Sequence, residues 1–155
     1  MEEEVKAVLE AYRQAVWNRD AAALLALYAE DVVVFDTWDT WSYPDRAAWR
    51  QSVEAWLGGL NDERVQVTAE AVRVVGGGEA AGLSAFLTYT ALTPEGAKLR
   101  SMQNRLSWQL VKREGPQGKT AWLIAQEHTS VPIAPESLTG HLSRESDMDG
   151  PTLRE

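Results

Sequence analysis

The sequence predicts one α+β domain, with helices first and a strongly curved sheet of long strands after them. The chain has 155 residues, which is about the size of one domain. Apolar side chains recur at helical spacing in its first third, and four long segments with a period of two follow, separated by turn residues. Because the helices precede the strands instead of alternating with them, we expect helices packed on one face of the sheet. A dinucleotide-binding fold is not predicted.

The N-terminal third predicts three helices and one short strand. Val5, Val8 and Leu9 open a stripe of apolar side chains that recur every three or four residues, as on an amphipathic helix. Asp20 and Asp45 are predicted N-caps, because an aspartate side chain accepts hydrogen bonds from the free N–H groups that begin a helix. The predicted elements are helices over 4–17, 21–29 and 46–57, a β-branched strand over 32–35, and a loop over 36–44.

The remainder of the domain predicts a meander of four strands. Their connections, Gly76–Gly78, Thr93–Gly96 and Arg113–Gly118, contain glycine and proline, which favour tight turns. Strands joined by short turns are antiparallel neighbours, and strands of this length bend, often at bulges. The predicted strands cover 65–75, 80–92, 98–112 and 120–131. The periodicity then ends, so we expect a domain over 1–134 and a tail over 135–155 that wraps the surface or stays mobile.

Composition and charge exclude several classes of protein. The chain has 15 Lys and Arg against 23 Asp and Glu, a net charge of −8, which argues against a nucleic-acid partner. It has no cysteine, so disulfides and thiolate metal sites are excluded. No apolar run is long enough to cross a membrane, and the acidic start is unlike a signal peptide, so we expect no membrane partner and a cytoplasmic protein.

Cofactor motifs are absent from the sequence. There is no phosphate-binding loop, no G-x-G-x-x-G and no G-x-S-x-G, and the two histidines are not spaced as metal ligands. A metal site built from Asp36, Asp39 and His128 is the alternative that the spacing leaves open, although zinc sites show clearer ligand clusters. We therefore expect no metal and no cofactor.

The aromatic content predicts a lined pocket. Seven Trp and four Tyr outnumber two Phe, and Trp and Tyr keep a polar group that needs a partner when the ring is buried. Several of them fall in the loop 36–44 and on the helix 46–57, where they converge on one end of the sheet. The alternative is that they fill the core and a dimer surface. The candidate ligand-binding residues are Trp17, Trp38, Tyr43, Trp56, Tyr89, Asn104 and Arg105.

Asp36, Tyr12 and His128 are the candidate catalytic residues. Asp36 ends an apolar strand, where desolvation raises the pKa of a carboxyl toward that of a useful base; a turn-capping role is the alternative. Tyr12 lies on the apolar stripe of the first helix and could donate its hydroxyl to a developing oxyanion, or simply fill the core. His128 alternates with Trp122 and Ile124, which fits either an assisting or a structural histidine. If Arg105 lies inside a cleft, it predicts an anionic ligand; if it lies on an outer face, it only keeps the surface soluble.

The opening and the ending of the domain resemble a known superfamily. The spacing from Tyr12 through Asp20 to Asp36 is similar to the opening of the nuclear transport factor 2-like superfamily, which includes ketosteroid isomerase, SnoaL-like polyketide cyclases and the association domain of calcium/calmodulin-dependent kinase. The ending Trp122–Pro132, W-L-I-A-Q-E-H-T-S-V-P, resembles that of a SnoaL-like bacterial subgroup, in which the position of Gln126 holds a histidine. The middle segments Tyr43–Trp56 and Asn104–Ser107 fit the same subgroup, so the likeness covers about residues 3–134.

The resemblance implies a cone-shaped fold in which three helices and a bent mixed sheet enclose a pocket, and it implies a homodimer. By the same resemblance Tyr12 matches the oxyanion-donating tyrosine of the isomerase, and Asp36 matches its base. The isomerase has a second donor, a carboxylic acid kept neutral by an apolar site, which is a known case of pKa tuning. The strand 98–112 holds no Asp for that role, and Asn104 or Arg105 is the nearest polar residue.

Three functions follow from this reasoning. The first is an enzyme of the isomerase or cyclase type, in which Asp36 removes a proton next to a carbonyl and Tyr12 stabilises the enolate. The second is a non-catalytic module that binds a small hydrophobic or anionic organic ligand in the same pocket. The third is a homo-oligomeric association domain that packs through the exposed face of the sheet.

Overall fold

A computed structural model describes residues 1–114 and 118–144 and confirms the α+β prediction. Three helices occupy the first part of the chain and five strands form one sheet. The helices are α1 (Glu2–Trp17), α2 (Ala21–Leu25) and α3 (Arg46–Gly58), and the strands are β1 (Tyr28–Phe35), β2 (Arg64–Gly77), β3 (Ala80–Leu92), β4 (Lys98–Glu114) and β5 (Thr120–Ser130). None of the described helices is long and apolar enough to span a membrane.

The sheet is mixed and has the strand order β1-β5-β4-β3-β2. The four long strands form the predicted antiparallel meander, whereas β1 pairs with β5 in parallel at one edge. Glycine is required at the β2–β3 turn, where Gly76 has φ +131° and a Cβ would lie 2.5 Å from the Ala80 carbonyl oxygen. The sheet does not close on itself, because β1 and β2 remain edge strands.

The core lies between the helices and one face of the sheet. Helix α1 buries its apolar stripe, including Val5 and Val16, and Asp20 and Asp45 cap α2 and α3 as predicted. We call the face toward the helices the inner face and the opposite one the outer face. Trp108 and Leu110 of β4 lie on the inner face. The inward-facing residues of these strands are thus apolar, as the alternation of apolar and polar residues in the sequence indicates.

The second helix is shorter than predicted. The sequence predicts a helix over 21–29, but α2 ends at Leu25 and β1 begins at Tyr28. The Ile124 N–H donates to the Leu27 carbonyl oxygen, and Tyr28 is fully buried against β5. Pairing with β5 therefore overrides the helical propensity of this short segment, because propensity alone is a weak determinant.

Two bulges change the inward-facing set of residues along the sheet. In β2 the register against β3 shifts between Glu70 and Arg73, and Ala71 takes φ +53°. In β5 the register against β4 shifts by one residue at Ala125, between Ile124 and Gln126. A single extra residue moves every later side chain to the opposite face. The bulge in β5 decides which polar residue enters the core.

The described part of the tail pairs with the edge of β4 and ends on the outer face of the sheet. The Gln103 N–H of β4 donates to the Leu142 carbonyl oxygen at 2.7 Å, and Ile133 forms a bridge with Gly140. Arg144 then reaches Glu70 of β2 at 2.9 Å, and its guanidinium lies 3.8 Å from the centre of the Phe86 ring. The tail thus wraps the surface as far as residue 144, and residues 145–155 lie outside the described part.

Candidate functional site

The centre of the candidate site is a buried glutamate on β5. Glu127 is 3% exposed, and its Oε1 accepts hydrogen bonds from the Tyr28 hydroxyl at 2.7 Å and from the Trp108 Nε1–H at 2.9 Å. Burial raises the pKa of Glu127 to about 7, against the lowering effect of the two donors. Two donors on one oxygen suit the carbonyl oxygen of a neutral acid, which leaves the other oxygen to carry the proton.

The bulge in β5 explains why Glu127 is inside. Trp122 and Ile124 are buried, so plain alternation places residue 126 on the inner face and Glu127 outside. The extra residue at Ala125 reverses this order beyond it. Glu127 and Thr129 therefore face the core, and His128 faces outward.

A second part of the site is a pair of tyrosine hydroxyls. The hydroxyl oxygens of Tyr12 and Tyr89 lie 2.9 Å apart, which joins α1 to β3 across the interior. Desolvation is the main cause that raises the pKa of both phenols, so both are neutral donors. The Tyr12 ring lies edge-on to Trp108 at 5.7 Å, which brings the pair next to the Glu127 carboxyl. The negative charge of an ionised Glu127 raises the pKa of both tyrosines, so all three groups lie in the same interior.

Asp36 lies where β1 ends and the interior meets solvent. It is partly exposed, and its Oδ1 accepts a hydrogen bond from the Thr129 hydroxyl at 3.2 Å. Desolvation raises the pKa of Asp36, while Thr129 and the backbone N–H groups of Thr37 and Trp38 partly offset the rise. The charge of Asp36 also raises the pKa of Glu127. The two carboxyls are therefore electrostatically coupled, one at the opening and one in the core.

Two buried polar atoms of the interior lack a hydrogen-bond partner in the described part of the chain. They are the Trp49 Nε1 of α3 and the Asn104 Oδ1 of β4, each on a side chain that is 8% exposed. Trp49 packs on the Tyr28 ring at 6.2 Å, and Asn104 lies close enough to Tyr89 to favour its phenolate. Because buried polar groups are nearly always paired, an unpaired donor and an unpaired acceptor indicate a missing partner.

The structure divides the sequence-predicted site residues into two groups. Six lie on the interior: Tyr12, Asp36, Tyr43, Trp56, Tyr89 and Asn104. Four lie elsewhere: Trp17, Trp38, Arg105 and His128, and all four are exposed. Each of these has a structural reason to point away.

Trp17 ends α1, where the Arg64 guanidinium lies 5.6 Å from its ring centre, and Trp38 is 53% exposed in the loop after β1. Arg105 donates to the Ser130 hydroxyl on the outer face at 3.0 Å, so it does not enter the interior. His128 stacks edge-on against Phe35 at 5.5 Å on the same outer face. The alternation used to group His128 with Trp122 and Ile124 was wrong, because the bulge at Ala125 intervenes.

Sequence reasoning missed Glu127, Trp49 and Tyr28 as site residues. The one signal in the sequence is the run of apolar residues from Trp122 to Ala125, which departs from strict alternation and is typical of a bulge or a doubly buried strand. No three His, Asp or Glu side chains gather as metal ligands within residues 1–114 and 118–144, so the alternative metal site does not form there.

Two surface hollows lie apart from this interior. One is lined by residues of β2, β3 and β4 that include Arg73, Ser84 and Ser107, and the other lies between Trp17 and Pro94. Neither contains Tyr12, Asp36 or Glu127. The chemical groups are therefore concentrated in the interior and not in the surface hollows.

The SnoaL-like domain model matches residues 5–134. The chain belongs to the SnoaL-like family. The matched range begins at the fourth residue of α1 and ends beyond β5. None of the curated proteins matches this SnoaL-like chain by sequence.

Solved structures share the fold of this SnoaL-like domain. An NTF2-like protein of unknown function from Pseudomonas putida KT2440 matches with a TM-score of 0.76 and 20% identity, covering 92% of this chain and 94% of that one. A candidate calcium/calmodulin dependent protein kinase II association domain from Xanthomonas campestris matches with a TM-score of 0.68 and 23% identity, covering 86% and 87%. A candidate scytalone dehydratase from Novosphingobium aromaticivorans DSM 12444 matches with a TM-score of 0.67 and 14% identity, covering 83% and 81%. Together these likenesses show the fold.

Proposed function

We propose that this SnoaL-like protein binds a small organic molecule with a carbonyl group and moves a proton on the carbon next to it. One observation carries the proposal: the Tyr12–Tyr89 hydroxyl pair, the Asp36 carboxylate and the buried Glu127 acid share one interior. A base and a neutral hydroxyl donor are the groups that enolisation needs. The unpaired Trp49 N–H and Asn104 carbonyl supply further contacts for a bound molecule.

Each reacting group has a role in this proposal. Asp36 takes the proton from the carbon next to the carbonyl, the electron pair of the broken C–H bond moves onto the carbonyl oxygen, and the Tyr12 hydroxyl donates a hydrogen bond to the resulting enolate. Tyr89 polarises Tyr12 through their hydrogen bond at 2.9 Å. Asp36 then returns the proton to carbon, which completes an isomerisation or an exchange without a net change in charge.

The interior favours a ligand that is neutral or cationic over one that is anionic. Among the described residues the buried polar side chains are Asn104, Glu127 and Thr129, and none is basic. Arg105, the residue on which an anionic ligand was predicted, is exposed on the outer face. An anion in this interior would meet two carboxyls without a cation to offset the repulsion.

Hydrogen–deuterium exchange next to a ketone carbonyl tests the proposed activity. Cyclohexanone and cyclohex-3-enone are incubated with the protein in D2O and followed by NMR, which reports both exchange and migration of the double bond. Asp36→Asn is expected to lower the rate by roughly 10²–10⁴-fold, the usual contribution of a general base.

Asp39→Asn is the matched control for this variant. Asp39 is exposed in the same loop, three residues further along, and its positive φ of 62° suits Asn equally well. We expect Asp39→Asn to leave the rate unchanged. Equal exchange rates for the wild type and Asp36→Asn would exclude Asp36 as the catalytic base. Ligand binding without any exchange would favour a binding module instead.

We also propose that the protein is a homodimer that packs through the outer face of the sheet. Phe35 and His128 stack on each other at one end of that face, and Phe35 is 40% exposed. Ile133 and Leu138 of the tail are exposed as well. Sedimentation velocity of the wild type and of Phe35→Glu tests the proposal. We expect a dimer that the variant weakens, and a wild-type monomer at micromolar concentration would refute it.

A further inference from the structure

The interior is rich in hydrogen-bond acceptors and poor in positive charge. Glu127 is faced by Tyr12 of α1, Tyr28 of β1, Tyr89 of β3 and Trp108 of β4, and Asp36 acts on it from the end of β1. All of these are neutral or acidic. An ionised Glu127 would therefore have no counter-charge among these groups, and a charged carboxylate buried without one is costly.

Arg46 of α3 does not provide that cation. It donates to the backbone carbonyl oxygen of Tyr28 at 3.0 Å, and the Tyr28 hydroxyl at the other end of the residue donates to Glu127. The acid is therefore held by two neutral donors, the phenol and the indole of Trp108. A cation for this position has to come from a bound molecule.

The walls of the same interior are aromatic rings. Tyr12 and Trp108 meet at 5.7 Å, Tyr28 and Trp49 at 6.2 Å, and Trp56 and Tyr89 at 6.1 Å. The faces of such rings carry negative potential and attract organic cations, most strongly when water is excluded. Trp56, Tyr89 and Asp36 are partly exposed, so the interior borders solvent at these three residues.

The unpaired atom on β4 is also an acceptor. Asn104 Oδ1 is buried with no donor among the described residues, on a side chain more than nine-tenths buried. An acceptor without a donor, on the inner face that also holds Glu127, fits a group with several N–H donors and a positive charge. An ammonium group has three N–H donors and no acceptor.

We propose that the molecule bound in this interior carries a protonated amine, which pairs with Glu127 and donates to Asn104. The proposal rests on the proposed function for the existence of a ligand in this interior, and it names the class of that ligand. The apolar body of the molecule lies against the aromatic walls, and its ammonium group supplies the cation that the chain does not.

The proton balance gives the proposal a distinctive pH dependence. The Glu127 acid, whose pKa burial raises to about 7, must lose its proton to pair with an ammonium ion. Well below pH 7, where the carboxyl is fully protonated, each amine bound therefore releases one proton. The affinity for an amine falls about tenfold for each pH unit below that value, whereas the affinity for an uncharged analogue does not change.

Benzylamine and benzyl alcohol form a matched pair of probes for titration calorimetry. At pH 8 we expect the wild type to bind benzylamine at least about tenfold more tightly than benzyl alcohol, because hydrogen bonds to a charged group are the stronger kind. At pH 6.5 the heat of benzylamine binding should depend on the ionisation enthalpy of the buffer, which reports proton release. The wild-type comparison needs no variant that might fail to fold.

Two variants locate the amine within the interior. Glu127→Gln keeps an oxygen for Tyr28 and Trp108, and it should lower the affinity for benzylamine about tenfold without affecting benzyl alcohol. Glu54→Gln, at an exposed position of α3, should change neither. Equal affinity of the wild type for the two probes would overturn the amine proposal alone. If neither probe binds, both the amine proposal and the proposed ligand site in the interior are refuted. The role of Asp36 is tested separately, by proton exchange on a ketone.

Discussion

Replacing Glu127 by Gln should make the protein more stable at alkaline pH and leave its stability at acidic pH nearly unchanged. The unfolded carboxyl has the ordinary pKa of 4.5, and burial raises the folded value to about 7. Between these values the folded state holds more protons than the unfolded state, so the free energy of unfolding falls as pH rises. At about 1.4 kcal/mol per pH unit, the loss by pH 8 is about 3 kcal/mol.

Glutamine removes this loss while keeping the two hydrogen bonds. Its amide oxygen can accept from the Tyr28 hydroxyl and the Trp108 indole, which lie 2.7 and 2.9 Å from the glutamate oxygen. Urea unfolding followed by circular dichroism at pH 5, 6, 7 and 8 gives the free energy of unfolding of both proteins. Other groups titrate in both, so the difference between the two curves isolates Glu127.

Glu54→Gln is the control, because Glu54 is an exposed residue of α3. It should follow the wild type at every pH. A constant difference between wild type and Glu127→Gln from pH 5 to pH 8 would refute the reasoning. It would show that the buried carboxyl ionises in the folded state as easily as in the unfolded chain.

Two further substitutions separate the interior from the surface. Tyr12→Phe removes the hydrogen bond to Tyr89 and should lower the free energy of unfolding by about 1 kcal/mol in urea, while the rate of ketone proton exchange falls much further. An unchanged exchange rate would exclude Tyr12 as the enolate donor. Arg144→Ala removes a partly exposed ion pair with Glu70, so it should cost less than about 1 kcal/mol of stability. Hydrogen exchange by mass spectrometry should show faster exchange of the peptide that contains Gln103, and unchanged exchange would mean that Arg144 does not hold the tail on the sheet.

The elements of the fold could be predicted because their signals are local. The caps at Asp20 and Asp45 and the helical stripe of α1 depend on residues a few positions apart. The turns after β2 and β3 contain the glycine and proline that tight turns favour. Where the prediction was wrong, at the end of α2, the decisive contacts come from β5, nearly a hundred residues away. No local pattern reports such a pairing.

The candidate site was predicted only in part, and for β5 the reason is a bulge that separates sequence periodicity from side-chain direction. Tyr12 and Asp36 were proposed from their positions on the apolar stripe of a helix and at a strand end. His128 was proposed and Glu127 was missed, since alternation from Trp122 leads to the wrong face once Ala125 is inserted. The neutral carboxyl that the resemblance requires was sought on the strand 98–112, whereas the structure supplies a buried carboxyl from the neighbouring strand β5.

The buried acid is itself an argument for a function in the interior. A glutamine at position 127 would keep the hydrogen bonds from Tyr28 and Trp108 without the cost of desolvating an ionisable carboxyl. The unpaired atoms of Trp49 and Asn104 add to this cost, and all of these atoms lie in one interior. Residues that lower the stability of the fold are expected where a chain must bind a ligand or catalyse a reaction. The outer face, with Arg105 and His128, has no such cost, because its polar groups are exposed. The concentration of unfavourable choices around Glu127 therefore supports the proposed site in the interior, independently of the family to which the domain belongs.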